Sequence, residues 1–135
     1  MPNAPVPQDG EPSAVDKAVG LARERIGPRV AAATLADEAA AGALVVDIRP
    51  EELRRRDGPL EGAVVIDRNV LEWRLDPTSA HRLPGMDDPA RRVIIVCDEG
   101  YASSLAAASL ADLGLTNVTD LAGGYQDWLR QPSRD

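Results

Sequence analysis

The chain has one cysteine, one histidine and no phenylalanine, and each scarcity closes off a class of function. A lone cysteine excludes an internal disulfide and fits a reducing compartment. A disulfide redox enzyme would want a nearby resolving cysteine, which this sequence lacks. One histidine beside one cysteine is too few for a structural zinc site, so no metal is expected. No apolar run approaches the roughly 20 residues that span a bilayer. Residues 1–12 hold four prolines and lack the basic region and apolar core of a secretory signal. No membrane partner and a cytoplasmic location are therefore expected. Basic residues are in the minority, 15 against 22 acidic, for a net charge of −7. That balance argues against nucleic acid as a partner, because phosphate contacts need a basic surface. Without phenylalanine, the core must be built from Leu, Val, Ile and Ala, with Trp73 and Trp128 as the expected aromatic anchors.

What is present reads as one domain of 135 residues, enough for a core without disulfides or metal. Residues 1–13 are expected to be a disordered tail. Residues 14–28 form an amphipathic helix packing on the domain through Val15, Val19, Leu21 and Ile26, ended by Gly27-Pro28. The domain proper is expected over residues 29–132, with a short tail at 133–135. Residues 30–33 suggest an edge strand, and Thr34-Leu35-Ala36-Asp37 has the form of a capping box. Strands are expected at 44–48, 64–66, 93–96 and 118–121. Helices are expected after Pro50 (at the first helical position), at 69–75 with Val70, Leu71 and Trp73 inward, at 103–113, and at 124–129. Residues 76–89, with three prolines and His81, form a loop long enough to be functional. His81 has no recognisable catalytic partner. Strands alternating with helices give an α/β fold, a central parallel sheet with helices on both faces.

The cysteine lies where such a fold places its chemistry. Val93-Ile94-Ile95-Val96 is a buried strand, Cys97 ends it, and Asp98-Glu99-Gly100-Tyr101-Ala102-Ser103 leads into an alanine-rich helix. Loop amides and the first helical turn would face the sulfur and favour the thiolate, the nucleophilic form. A buried structural cysteine is the alternative for such a residue taken alone.

Three segments make the chain similar to the rhodanese-like sulfurtransferase family over residues 29–132. Leu44-Val45-Val46-Asp47-Ile48-Arg49 resembles the family's strand ending in Asp-x-Arg, followed by a helix, the Gly62-Ala63 turn and a short strand. Cys97 to Ser103 aligns with the Cys-x-x-Gly-x-x-Ser loop. Leu121-Ala122-Gly123-Gly124-Tyr125-Gln126-Asp127-Trp128 aligns with Leu-x-Gly-Gly-x-x-x-Trp. The resemblance implies that Cys97 takes a sulfane sulfur from a donor, forms a persulfide and passes it to a thiol or other nucleophile. It implies no cofactor. Donor and acceptor would be small-molecule or protein persulfides and thiols; the oligomeric state is not legible.

Within that reading, Asp98, Glu99, Gly100, Tyr101, Ala102 and Ser103 surround the substrate. Gly100 permits the positive φ that an amide cradle needs. The Ser103 hydroxyl either donates to sulfur or caps the helix. Asp47 and Arg49 support the site, as an architectural ion pair or in direct substrate contact. Arg54, Arg55 and Arg56 read as solvated surface, with Arg54 within reach of the cleft. The chain departs from the family at Ala102, where members often carry Arg or a hydroxyl residue, and in its acidic Asp98-Glu99. Two carboxylates repel a dianionic donor, so a poor thiosulfate enzyme is expected. A non-catalytic binding or regulatory module is the alternative. A cysteine phosphatase would need Cys-x5-Arg to clamp phosphoryl oxygens, and Ser103 stands at that position. Residues 69–76 and the Cys-x-Glu-Gly-Tyr loop resemble a bacterial single-domain subgroup, some of whose relatives are associated with cysteine catabolism.

Overall fold

Four short strands, β1 (Leu44–Asp47), β2 (Val64–Val65), β3 (Val93–Val96) and β4 (Val118–Asp120), pair in parallel in the order β2-β1-β3-β4. The computed structural model describes residues 10–132. The expected tails fall largely on residues 1–9 and 133–135, outside the described residues. The helices are α1 (Ala14–Glu24), α2 (Leu35–Ala40), α3 (Glu51–Asp57), α4 (Leu71–Leu75), α5 (Ala102–Asp112) and α6 (Gly124–Leu129).

β3 is central because it can be: Val93, Ile94, Ile95 and Val96 are all fully buried, as a parallel strand covered on both faces requires. Alternation along the strand divides the core in two. Val93, Ile95 and Cys97 face a cluster with Val46, Leu71, Leu75, Met86, Ala106, Ala107 and Leu110. Ile94 and Val96 face the other, with Val45, Leu35, Leu60, Leu121 and Tyr125. The alanines of α5 let that helix lie close on the sheet, and α1 packs across α5 as an outer layer. Glycines at positive φ, Gly42, Gly58 and Gly114, end α2, α3 and α5.

Several local expectations are corrected. The expected edge strand at 30–33 is a single bridge, Val30 to Leu121, followed by a 3-10 turn at Ala32–Thr34. That turn runs straight into α2, so Thr34 has helical backbone and no capping bond; its hydroxyl donates back to the Ala31 carbonyl. The capping box belongs instead to α1, between Ser13 and Asp16. Pro50 is the N-cap of α3 rather than its first residue. Val15 and Leu21 are exposed, because the residues that α1 buries are Val19 and Ala22, about one turn apart. Trp73 and Val70 are also exposed; Leu71 and Leu75, at i and i+4, are the pair that faces the core. Tyr125 is the buried aromatic, and Trp128 is half-buried against the second cluster.

The loop at residues 76–89 does not reach the cysteine. It feeds the start of β3, where the Pro89 carbonyl accepts from the Thr116 amide, while Cys97 follows the strand's other end. Fully buried Met86 belongs to the core there, and exposed His81 makes backbone bonds, its carbonyl accepting from Arg74 and its amide donating to Ser79 Oγ. Among the described residues, no helix is long and apolar enough to cross a membrane.

Candidate active site

Cys97 directly follows β3, and the chain then turns sharply so that two amides point back at its sulfur. Gly100 N–H donates to Sγ at 3.1 Å and Ser103 N–H at 3.3 Å. The turn depends on Gly100, at φ 88°, where a Cβ would stand 2.6 Å from the Gly123 nitrogen. Sγ lies on the floor of a cavity of about 320 Å³ lined by Ile48, Arg49, Pro50, Arg68, Cys97, Asp98, Glu99, Tyr101 and Ala102. Its walls are mainly apolar; of its charged lining groups Arg49 is buried and Glu99 exposed.

The loop is gripped from two sides. From α6, the Tyr125 amide donates to the Cys97 carbonyl at 2.9 Å and the Gln126 amide to the Asp98 carbonyl at 3.0 Å. That approach needs Gly124, at φ 62°, where a Cβ would meet Asp98 backbone at 2.6 Å and the Cys97 oxygen at 2.7 Å. From the other side, a fully buried carboxylate, Asp120 at the end of β4, accepts from Ser103 Oγ and Ser104 Oγ, each at 2.7 Å. Arg29 donates to both Asp120 oxygens, at 2.7 and 3.1 Å. The Ser103 hydroxyl therefore takes neither of the two uses expected from sequence, a bond to sulfur or a cap on α5; its amide makes the sulfur contact. Tyr101 precedes α5 with no side-chain cap.

Asp47 and Arg49 form a buried pair. Arg49 donates through Nη2 at 2.8 Å and through Nε to Asp47, and its own amide also donates to Asp47 Oδ1. Nη2 also donates to the Gly58 carbonyl, and the guanidinium lies 3.6 Å from the centroid of the Tyr125 ring. Among the described residues Nη1 has no hydrogen-bond partner, and the face of the aromatic ring offers its π electrons to the cation instead. The pair ties β1 to α3 and α6, and Arg49 also lines the cavity. Arg54 is half-buried, donates to the Arg49 carbonyl, and lines an adjoining hollow with Arg49, Pro50 and Arg68. Arg55 and Arg56 are exposed.

The two loop acids part company. Asp98 turns toward α6, accepting from Gln126 Nε2 at 2.9 Å, with Arg56 at 3.9 Å. Glu99 is exposed at the rim. Gln126 also donates to Asp57. The Asp57 carboxyl is held below the ordinary aspartate range, first by the Arg56 hydrogen bond and then, against some desolvation, by Gln126. Sequence reasoning missed Asp120, Ser104, Arg23 and Arg29. Asp120 alone carried a signal, as a charge inside the apolar stretch Val118-Thr119-Asp120-Leu121, since a buried charge demands partners. Among the described residues, no three His, Cys, Asp or Glu side chains come together as a metal site would require.

Residues 31–131 match the family model of the rhodanese-like domain. The chain belongs to the rhodanese-like family. This rhodanese-like chain is 32% identical over 105 residues to the thiosulfate sulfurtransferase GlpE of Pseudomonas entomophila, covering 78% of this chain and 84% of that one. To the GlpE of Pseudomonas fluorescens it is 34% identical over 88 residues, covering 64% and 71%. Among solved structures, the human single-domain sulfurtransferase TSTD1 superposes with a TM-score of 0.62 at 26% identity, over 79% of this chain and 99% of that one. A Rhodopseudomonas palustris protein of unknown function, described as a possible tyrosine phosphatase, superposes with a TM-score of 0.76 at 27% identity, over 93% and 95%. In this rhodanese-like chain, the position of a phosphatase's clamping arginine holds Ser103, bonded to Asp120.

Proposed function

We propose that the chain is a sulfurtransferase working through a Cys97 persulfide. One observation carries the reading: a sulfur at the floor of an open cavity with two backbone N–H donors aimed at it. The sulfurtransferase relatives support it. In the first half-reaction, Cys97 thiolate attacks the outer, sulfane sulfur of a donor. A new S–S bond forms at Cys97, the donor's own bond to that sulfur breaks, and the leaving group departs with the electron pair. In the second, an acceptor thiolate attacks the outer persulfide sulfur and Cys97 leaves as thiolate, so no net oxidant or reductant is used. The amides of Gly100 and Ser103 hold negative charge on the sulfur through both steps, as oriented N–H groups do in anion sites.

Cys97 is thus the catalytic residue. Asp98, Glu99, Tyr101 and Ala102 border the approach of the substrate, Gly100 and Ser103 supply the cradle, and Asp47 with Arg49 positions the loops around it. The mostly apolar cavity and the rim carboxylate of Glu99 favour a low-molecular-weight or protein persulfide over dianionic thiosulfate, with a thiol as acceptor. The domain is proposed to span residues 29–132, with residues 14–28 packed on it. Intact mass after incubation with a persulfide donor tests the reading. One added sulfur atom on Cys97, removed by cyanide or a thiol and absent in Cys97→Ser, is the expected result. No adduct from any donor would instead make the chain a binding module.

A further inference from the structure

Both amides that touch the Cys97 sulfur belong to residues whose remaining polar groups are held by the same network, and two of its members lie ahead of the matched family segment at residues 31–131. The Gly100 carbonyl accepts from Arg23 Nη2 at 2.9 Å and from Arg29 Nη2 at 2.7 Å. Ser103 is fixed through its hydroxyl by Asp120, which Arg29 holds with two hydrogen bonds. Arg23 closes the circuit by donating through Nε to Ser104 Oγ at 3.0 Å, and its guanidinium sits 5.5 Å from the Tyr101 ring centroid.

We propose, on the sulfurtransferase reading, that Arg23 and Arg29 are positioning residues for the sulfur cradle, Arg23 contributed by the N-terminal segment that packs on the domain and Arg29 standing at the domain's first position, just ahead of the matched family segment. Gly100 has the conformational freedom of a glycine at φ 88°, and nothing in its side chain restrains it. With its N–H on the sulfur, its carbonyl faces the two guanidiniums. Without them, that carbonyl keeps only the long contact to Ser104 Oγ, at 3.5 Å, and the loss of two charge-assisted bonds in a buried place favours turning the loop. Hydrogen bonds from charged donors are roughly twice as strong as neutral ones, which makes this a firm hold on an otherwise free residue. Charge also matters. Arg29 pairs directly with Asp120, while the hydrogen bonds of Arg23 go to a hydroxyl and a carbonyl, and among the described residues no carboxylate pairs directly with it behind the loop that carries the sulfur anion. Neither arginine lines the cavity, so neither contributes to binding the donor.

The predicted signature is a loss in rate without a loss in donor affinity. Single-turnover persulfide formation, with glutathione persulfide as donor, gives both the saturating rate and the half-saturating concentration. Arg23→Met should lower the saturating rate about tenfold, the worth of one charge-assisted hydrogen bond, and leave the half-saturating concentration unchanged. Arg23→Lys restores a charged donor and should recover most of the rate. Arg25→Ala breaks the other tie between α1 and α5, the Arg25–Asp112 ion pair at 2.9 Å, without touching the loop, and should stay within about twofold of the parent. Alkylation of Cys97 by neutral iodoacetamide, which needs no donor, should follow the same ranking. A folded Arg23→Met that transfers sulfur and alkylates as fast as the parent overturns the inference. So does an Arg25→Ala as slow as Arg23→Met, because helix docking alone would then explain the effect. If the parent itself takes up no sulfur while alkylation still ranks as described, the sulfurtransferase reading fails and the positioning role stands.

Discussion

Replacing Gly124 with alanine drives a methyl group into the backbone that carries the sulfur. Its Cβ would lie 2.6 Å from the Asp98 carbonyl carbon and oxygen and 2.7 Å from the Cys97 oxygen, all backbone atoms that cannot swing aside. Two costs add. A non-glycine residue in the left-handed region, here φ 62°, costs about 1–2 kcal/mol, and forcing an atom into packed backbone costs about 1–3 kcal/mol more. The expected loss is therefore about 2–5 kcal/mol, against a total of about 5–15 kcal/mol for a domain of this kind. The chain relieves part of it by pushing the 97–98 backbone off α6, which carries the sulfur away from its donors. Urea unfolding measures the first effect and single-turnover persulfide formation the second; the two should trade off, with at least one clearly impaired. Gly62→Ala is the internal comparison. Gly62 also has a positive φ, 82°, but a Cβ there meets nothing within 4 Å, so it should lose about 1 kcal/mol and no activity. A Gly124→Ala protein within about 0.5 kcal/mol of the parent and equally active would refute the argument that close backbone approach holds the loop.

Met86→Ala should cost about 2–5 kcal/mol by urea unfolding yet leave the rate of sulfur transfer unchanged where the protein is folded, since Met86 belongs to the core at the opposite end of β3; a lost rate would return the 76–89 loop to the active site. The Asp57 carboxyl, lowered chiefly by its Arg56 hydrogen bond, contributes stability that is complete above the ordinary aspartate value of about 3.9 and fades as pH falls through the lowered folded value. Asp57→Asn should thus lower the thermal midpoint at pH 6 and bring it closer to the parent's at pH 3; a constant difference across that range would show that the carboxylate is not what matters. Glu99→Lys should raise the rate with thiosulfate, more at low ionic strength where screening is weak, and an unchanged rate would mean that the apolar walls rather than the rim charge exclude the dianion.

The sheet was legible because its signals are local. Val93 to Val96 is apolar at every position, and a strand covered on both faces needs nothing else. The sulfur setting was legible for the same reason, since a cysteine, a glycine and a helix start follow one another within seven residues. What escaped was the direction of side chains on short elements. Trp73 sits on a five-residue helix, where a shift of one position in the start of the turn moves it from core to solvent. Thr34 misled because a capping pattern says nothing of a preceding 3-10 turn that already supplies helical backbone. Ser103 has two plausible local uses for its hydroxyl, and both lose to a carboxylate from β4. Arg23 and Arg29 look like any surface arginines until the fold brings Gly100 to them.

The hydrogen bonds that set the cradle join parts of the chain made far apart in time. Arg23 and Arg29 stand 77 and 71 positions before Gly100, and Arg29 stands 91 before Asp120. Such pairings carry the loop-closure entropy of most of the polypeptide and form late. On the ribosome the arginines emerge first, the cysteine much later, and Asp120 with the Gly123-Gly124 turn last of all. A nascent chain halted before β4 holds the cysteine and its loop but lacks Asp120 and the Gly123-Gly124 turn that grip that loop. The thiol acquires its native setting only when the final strand and the C-terminal turn close on the first helix. Its reactivity toward a neutral alkylating reagent is consequently a clock for the last step of folding, readable at a single atom.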